Sequence, residues 1–448
     1  MPEHDTIQAY LETAGEQIRW GRARQIVIPE LRQHLEDQRD AFLAEDREDA
    51  ERLAVEEMGD PVSVGAELDR IHRPKPQWGL LALTVAFALA GAVLRVWLTA
   101  DWAELYQDID PLRTALAFLL GCGALAAGDV LFLSVLAHYA MAIYVGALAA
   151  TALAWRLSPN VGGVAIYARY VVLCFPVVYA CWLYTCRKKG WWGMGLALAG
   201  MVPLALACWM TPYVFALVEL LLTGLVLLIF ACRKDWFGIG RWKPLLTVVG
   251  CVGGLAAVFV YLLLHSGHAM RRLAAALHPE ADPLGMGYYA LTARRALAGA
   301  RWWGQGTWSG TSSYAETMPC CESDNLLTTL IHQLGWGPFL LVVLTFAVLL
   351  GWLAVRCLRQ KSRLGQFLVI AVVMMLGIQA LFSVAWNLGF TWNSALFPLM
   401  IGNTASVVEM GLIGLALSAF RGDSVARDES CDVQYRPRYR IRVHIEKL

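Results

Sequence analysis

The stretch CCESDNLLTTLIHQLG, residues 320–335, sets two carboxylates, Glu322 and Asp324, one turn ahead of a long apolar run. A carboxylate within hydrogen-bond reach of a hydroxyl can remove its proton, and the same group is a hard oxygen ligand for a divalent cation. Glu322 and Asp324 are the carboxylates that could take such a role. Arg271, Arg272, Arg294, Arg295 and Arg301 precede them and supply a positive field for anionic oxygens. Plainer roles compete. Glu322 is expected to cap the helix starting at Asn325, and the arginines can equally bind anionic lipid headgroups. Vicinal Cys320 and Cys321 could pair only in a strained ring, so free thiols are expected. His34, in ELRQHLED, reads as a surface histidine.

The elements that must position these residues lie mostly in lipid. Of 448 residues 58% are hydrophobic and only 16% charged, well below the roughly 25% charged of soluble domains, and the class is a polytopic membrane protein. The net charge of +1 hides an asymmetry, because residues 1–78 hold 18 Asp/Glu against 10 Lys/Arg. That segment is expected to be a separate soluble domain. No charged-then-apolar secretory signal opens the chain, so the N-terminus is expected in the cytoplasm with the first span as an uncleaved anchor. The eleven cysteines show no CxxC pairs of zinc-site spacing. Nucleotide-binding and nuclease motifs are missing too, which excludes ATP-driven transport and a nucleic-acid partner.

Residues 1–74 carry helical stripes: Ile7, Tyr10, Leu11, Ala14 and Ile18; Ile28, Leu31, Leu35 and Phe42; Ala50, Leu53, Ala54 and Met58. Gly59 and Pro61 in MGDP end the third helix, and Val62, Val64, Leu68 and Ile71 predict a fourth. Beyond residue 78, ten apolar spans are predicted, at 79–99, 112–128, 132–154, 164–185, 191–210, 213–231, 244–264, 336–355, 366–388 and 396–420. The basic loops CRKKG, CRKDWFGIGRWK and RCLRQKSR fall on one side if both termini are cytoplasmic. The loop near Asp101–Asp110, a loop near Pro159, the turn at Thr211-Pro212 and the connection His265–Gly335 then lie outside. At about seventy residues that last connection far exceeds an ordinary helix linker, so a functional role is expected. It is predicted to hold surface-lying helices, with Trp302, Trp303 and Trp308 at headgroup depth. The tail 421–448 alternates Tyr439, Ile441, Val443 and Ile445 with basic residues, which suits a strand or an adhesive segment.

RRLAAALHPEADPLGMGYY, then WWGQG, then ESDNLLTTLIHQLG leading into a span, and GIQALFSVAWNLG in the next, resemble in order and spacing the SEDS proteins (shape, elongation, division and sporulation). The resemblance covers residues 244–420, and the rest by the count of ten spans. Separately, ELRQHLED and AVEEMGDPVSVGAELDRIHRP resemble the permease-prefix (HAAS) domain found ahead of some bacterial membrane proteins. The domains implied are 1–78 prefix, 79–420 SEDS-like membrane domain and 421–448 cytoplasmic tail. In SEDS proteins the long loop carries an Asp, matched by Asp324, with Leu334-Gly335 at the family spacing and His332-Gln333 in place of an acidic pair. The resemblance implies polymerisation of lipid II into glycan strands outside the cytoplasmic membrane, with a class B penicillin-binding protein as partner. Asp324 would be the catalytic base and metal ligand. Arg271, Arg272, Gly304, Gly306, Pro398 and Asn403 would bind substrate, and a divalent cation, Mg²⁺ or Mn²⁺, would suit the diphosphate and carboxylate oxygens.

Three family patterns are altered. PSExxK is not found near residues 160–185, QPDxGT appears as MTPYVFA with Tyr213 in place of the acid, and PFISYGGSS appears as PLMIGNTAS. Two other classes therefore stand beside the enzyme: a flippase for a lipid-linked precursor, and a catalytically silent scaffold for wall synthesis. A flippase would show ionisable residues along its spans, where Asp129, Arg169, Glu219 and Glu409 are the ones noted. Those are few, which counts against a flippase; the altered patterns and the prefix domain support the scaffold, and the glycosyltransferase ranks first.

Overall fold

The computed structural model describes residues 6–74, 76–100, 110–131, 133–161, 164–211, 213–401 and 403–421. Most of the Asp101–Asp110 loop, Pro212 and the tail beyond Arg421 lie outside the described residues. Two compact units form, one running to Pro76 and the other spanning Gln77–Ala419.

Among its described residues up to Pro76, the first unit has four helices, Ile7–Gln17, Gly21–Ala44, Ala50–Met58 and Pro61–His72. Ile7, Tyr10, Leu11, Ala14, Leu31 and Leu35 close its core, with Ile28, Val55, Met58 and Leu68 packed against them. The MGDP stretch works as expected. Gly59 caps the third helix at φ 88°, a conformation that favours glycine, and Pro61 opens the fourth at its first turn. Asp60 between them accepts from the Ser63 backbone N–H at 2.9 Å. Helices one and four approach closely because Gly65 has no side chain; a Cβ there would strike the Ala14 carbonyl.

In the second unit, ten helices among the described residues are long and apolar enough to cross a membrane. They are Trp78–Thr99, Pro111–Val130, Ala140–Leu157, Ile166–Thr185, Gly190–Met210, Val214–Arg233, Trp242–Leu262, Trp336–Leu358, Arg363–Asn387 and Thr404–Arg421, taken in order as spans 1 to 10. Among the described residues the one ladder is two residues a side, Asn160–Val161 against Val164–Ala165.

Three spans depart from the sequence expectation. Span 3 starts at Ala140, behind a separate short helix Leu133–His138. Span 4 is two helices, Ile166–Val172 and Phe175–Thr185, with Pro176 in the first turn of the second. Span 10 was expected from residue 396 but begins at Thr404. Residues 395–401 are buried yet not helical, with Leu399 in the left-handed region at φ 65°. Pro398 also disfavours helix for the residue before it. Asn403 then starts the helix, its Oδ1 accepting from Ala405 N at 2.9 Å.

Candidate active site

The long connection between spans 7 and 8 is folded. It contains helices Gly267–Leu277, Tyr288–Ala298, Tyr314–Thr317 and Leu326–Leu334, with a 3-10 turn Pro279–Ala281 between the first two. Ala293, Ala296, Tyr314, Met318 and Cys321 form a small core under Trp308. Trp302 and Trp303 are exposed, whereas Trp308 is drawn into this core and donates from Nε1 to Ser312 O at 2.8 Å. Tyr288 Oη donates to Thr317 O at 2.7 Å, and the Tyr314 ring stacks on His332 at 4.3 Å. Burial lowers the His332 pKa below its ordinary 6.5, so that ring packs as neutral imidazole.

The acid turn is held from the membrane helices. Asn387, at the end of span 9, donates from Nδ2 to the Asp324 carbonyl at 2.8 Å, and its Oδ1 accepts from the Thr328 backbone N–H at 2.8 Å. Trp386 Nε1 donates to Asn325 Oδ1 at 2.9 Å, while Asn325 Nδ2 donates to Pro319 O at 2.7 Å. Helix Leu326–Leu334 has no side-chain cap from Asn325. Its free N-terminal amides are served by Asn387 of another span, not by Glu322 as the sequence suggested. Arg95 of span 1 donates from Nε to the Glu322 carbonyl at 2.9 Å and from Nη1 to the Ile401 carbonyl at 2.8 Å. One guanidinium thus ties the acid turn to the buried segment ahead of span 10.

These contacts frame a polar cavity of ≈ 820 Å³. Arg95, Arg169, Arg272, Tyr213, Glu322 and Asn403 are among its lining. The Arg169 guanidinium lies over the Tyr213 ring, 5.0 Å from its centroid, and is within electrostatic reach of Asp324. Glu322 Oε2 and Asp324 Oδ1 are buried and accept no hydrogen bond. Asp324 as a whole is half-buried. Cys320 adjoins this charge at φ 52°. Burial, then the charges of Asp324 and Glu322, push its thiol up to about 11 and keep it protonated at neutral pH.

The residues named from sequence divide. Arg272, Asn403 and Glu322 come together in the cavity wall, whereas Asp324, two residues past Glu322 in the same turn, is not part of that lining. Arg271 does not line it and bonds back to Gly267 O within its own helix. Arg294 pairs with Glu280 at 3.4 Å and Arg295 lies over Trp308. Gly304 and Gly306 donate their N–H groups to Leu334 O at 2.9 Å and His332 O at 2.7 Å. That satisfies the last carbonyls of the helix behind Asp324, a supporting role away from the cavity wall. Pro398 is buried in the non-helical segment. Among the described residues no group of three His, Cys, Asp or Glu could hold a metal. Two buried, unpartnered carboxylate oxygens remain, a donor set that suits a cation also held by substrate phosphates.

Arg95, Asn387, Trp386 and Tyr213 were not singled out as site residues. An ionisable side chain inside an apolar span was the available signal for Arg95. For Asn387 it was a polar residue closing the GIQALFSVAWNLG span.

Ten helices long and apolar enough to cross a membrane among the described residues, and an arginine-lined cavity with a folded carboxylate-bearing loop at its edge, define a multi-pass membrane protein with a polar site. The family model described as Cell cycle protein, that of FtsW, RodA and SpoVE, matches residues 130–421, and the chain belongs to this family. It is 25% identical over 169 residues to a probable peptidoglycan glycosyltransferase FtsW of Trichlorobacter lovleyi, covering 37% of this chain and 44% of that protein. Against the peptidoglycan glycosyltransferase MrdB of Escherichia coli the identity is 25% over 184 residues, covering 40% and 48%. The chain spans about half the length of the curated relatives it matches. In fold it is similar to a chain from the solved structure "Structural coordination of polymerization and crosslinking by a peptidoglycan synthase complex". The TM-score is 0.61 at 18% identity, over 79% of this chain and 99% of that one.

Proposed function

We propose that this protein is a peptidoglycan glycosyltransferase that polymerises lipid II. The observation that carries the reading is the pinned acid turn at an arginine-lined cavity, with Asp324 Oδ1 buried and unpartnered beside the charge of Arg169. In the reaction, the acceptor sugar hydroxyl attacks the anomeric carbon of the donor, its proton passes to the Asp324 carboxylate, and the bond from that carbon to the diphosphate oxygen breaks. The leaving lipid diphosphate takes the electron pair. Arg169 and Arg272 offset its charge in a cavity of low dielectric, where fixed cations act most strongly. Arg95 and Asn387 hold the acid turn still, so that little reorganisation is needed at the moment of transfer. Glu322 and Asp324 would hold a divalent cation, which would supply further neutralisation of the diphosphate.

The orientation that goes with this chemistry has both termini in the cytoplasm and the connection between spans 7 and 8 outside, a reading the basic loops support. The partner is a class B penicillin-binding protein that crosslinks the strands, with the small-residue stretch Gly250–Gly254 of span 7 as one contact. The N-terminal four-helix unit is a permease-prefix-type module on the cytoplasmic face.

The test is incubation of the purified chain with labelled lipid II, with and without such a partner. A ladder of glycan strands is expected. Products absent under both conditions would leave the chain as a scaffold of the synthesis complex.

A further inference from the structure

Spans 6, 9 and 10 enclose a set of oxygens that the transfer reaction does not use. Glu219 of span 6 is 0% exposed, and neither of its carboxylate oxygens has a hydrogen-bond partner. Thr223 Oγ1, one helical turn along the same face, and Gln379 Oε1 of span 9 are likewise buried and unpartnered. Two ring contacts fix how spans 6 and 9 lie together. Phe215 meets Phe382 with centroids 5.3 Å apart, and Phe230 meets Phe367 at 5.9 Å. From the first contact to the second, one helix advances fifteen residues while the other retreats fifteen, so the pair is antiparallel and in register. Four residues on from Phe215 and back from Phe382 stand Glu219 and Ile378, with Gln379 adjoining. Gln379 Nε2 donates to Glu409 Oε1 of span 10 at 2.7 Å, and the Leu399 N–H donates to Glu409 Oε2 at 2.7 Å. Glu409 and Glu219 are within electrostatic reach of each other. Phe215 lines the polar cavity, so this level is one turn deeper.

Carboxylates enclosed in a membrane protein are costly unless a positive charge and hydrogen bonds compensate them. Glu409 has two donors and the reach of Arg169, a cation that Asp324 also draws upon. Glu219 has neither donor. We infer that Glu219, Thr223, Gln379 and Glu409 form a binding site for a small monovalent cation. Glu219 supplies the uncompensated charge, and the Thr223 hydroxyl and Gln379 carbonyl supply neutral oxygens of the hard type such ions prefer. For the two glutamates of this level Arg169 reaches Glu409, and a monovalent cation supplies the charge that Glu219 lacks. A cation seated there links spans 6, 9 and 10, and through Glu409 and Leu399 it steadies the segment whose Ile401 carbonyl Arg95 uses.

The experiment needs no turnover and so stands or falls apart from the proposed reaction. Thermal unfolding of the detergent-purified full chain is followed at pH 8 and fixed ionic strength in sodium, potassium or choline chloride, with magnesium chloride as a further arm. Sodium or potassium is expected to raise Tm by about 2–5 °C over choline, the scale of ligand at a large excess over its dissociation constant. Glu219→Gln and Thr223→Val should each remove that difference, and the second serves if the first fails to fold. Equal Tm values in all the monovalent salts, a cation effect that both variants retain, or an effect seen with magnesium alone would overturn the inference.

Discussion

Asn387→Ala removes the clamp between span 9 and the acid turn, and its cost can be worked from the geometry. The side chain holds the Asp324 carbonyl at 2.8 Å and the Thr328 N–H at 2.8 Å, and a third bond runs to the Ser383 carbonyl at 2.9 Å. Thr328 Oγ1 keeps its bond to the Asn387 backbone carbonyl at 2.9 Å, so the helix start does not come free entirely. What is lost is a buried amide's acceptor and a carbonyl's donor. At about 1–3 kcal/mol for each buried group left unpaired, the variant should be less stable by about 2–5 kcal/mol. Catalysis should suffer more than folding, because a misplacement of about 1 Å can cost on the order of 10²-fold in rate. Asn387→Asp separates the two effects: it still accepts from Thr328 but cannot donate to Asp324. The assay is the initial rate of glycan formation from lipid II beside a melting curve for each variant. Both rates should fall at least tenfold, with Asn387→Asp the more stable of the two. Parental rates in both variants would refute the claim that span 9 positions the acid.

Arg95→Lys keeps the charge but cannot bridge the Glu322 and Ile401 carbonyls with a planar fork; the polymerisation rate should drop by about tenfold or more, and an unchanged rate would show the bridge to be incidental. A cysteine placed at Ser309 should react with a membrane-impermeant maleimide in intact cells, and labelling only after permeabilisation would invert the topology. His332, whose pKa burial lowers from 6.5, binds its proton more weakly folded than unfolded. Its contribution to stability is therefore complete above about pH 6.5 and is lost as pH falls through and below that value. His332→Gln should lose stability less steeply on acidification, as read from melting curves between pH 5 and 8; parallel curves would exclude His332 as a source of the pH dependence.

The ten spans were legible because twenty-residue apolar runs and basic loops are local signals, and so was MGDP, where Gly59 and Pro61 act within their own turn. The start of span 10 was not. Residues 395–401 are as apolar as a helix but are held otherwise, by Leu399 at positive φ and by Glu409 and Arg95 reaching them from other helices. The same limit separates the parts of the site. Asp324 stands out as a carboxylate ahead of a helix, whereas Arg95 and Asn387 act on partners 227 and 63 residues away. The resemblance offered Gly304 and Gly306 as substrate contacts, and their local pattern gives no sign that their N–H groups finish the helix behind Asp324, a partner some thirty residues on.

The most direct measurement is the rate at which Asp324→Asn converts labelled lipid II to glycan strands, set against the parent and Glu322→Gln under the same partner and salt. The amide keeps the size of the carboxylate but cannot take the acceptor's proton, so the rate should fall by roughly 10²- to 10⁴-fold. The melting temperature should not fall, since Asp324 Oδ1 makes no hydrogen bond to lose. Glu322→Gln should lose much less. Parental polymerisation by Asp324→Asn would contradict the account, and an equal loss in Glu322→Gln alone would move the base to the other carboxylate of the turn.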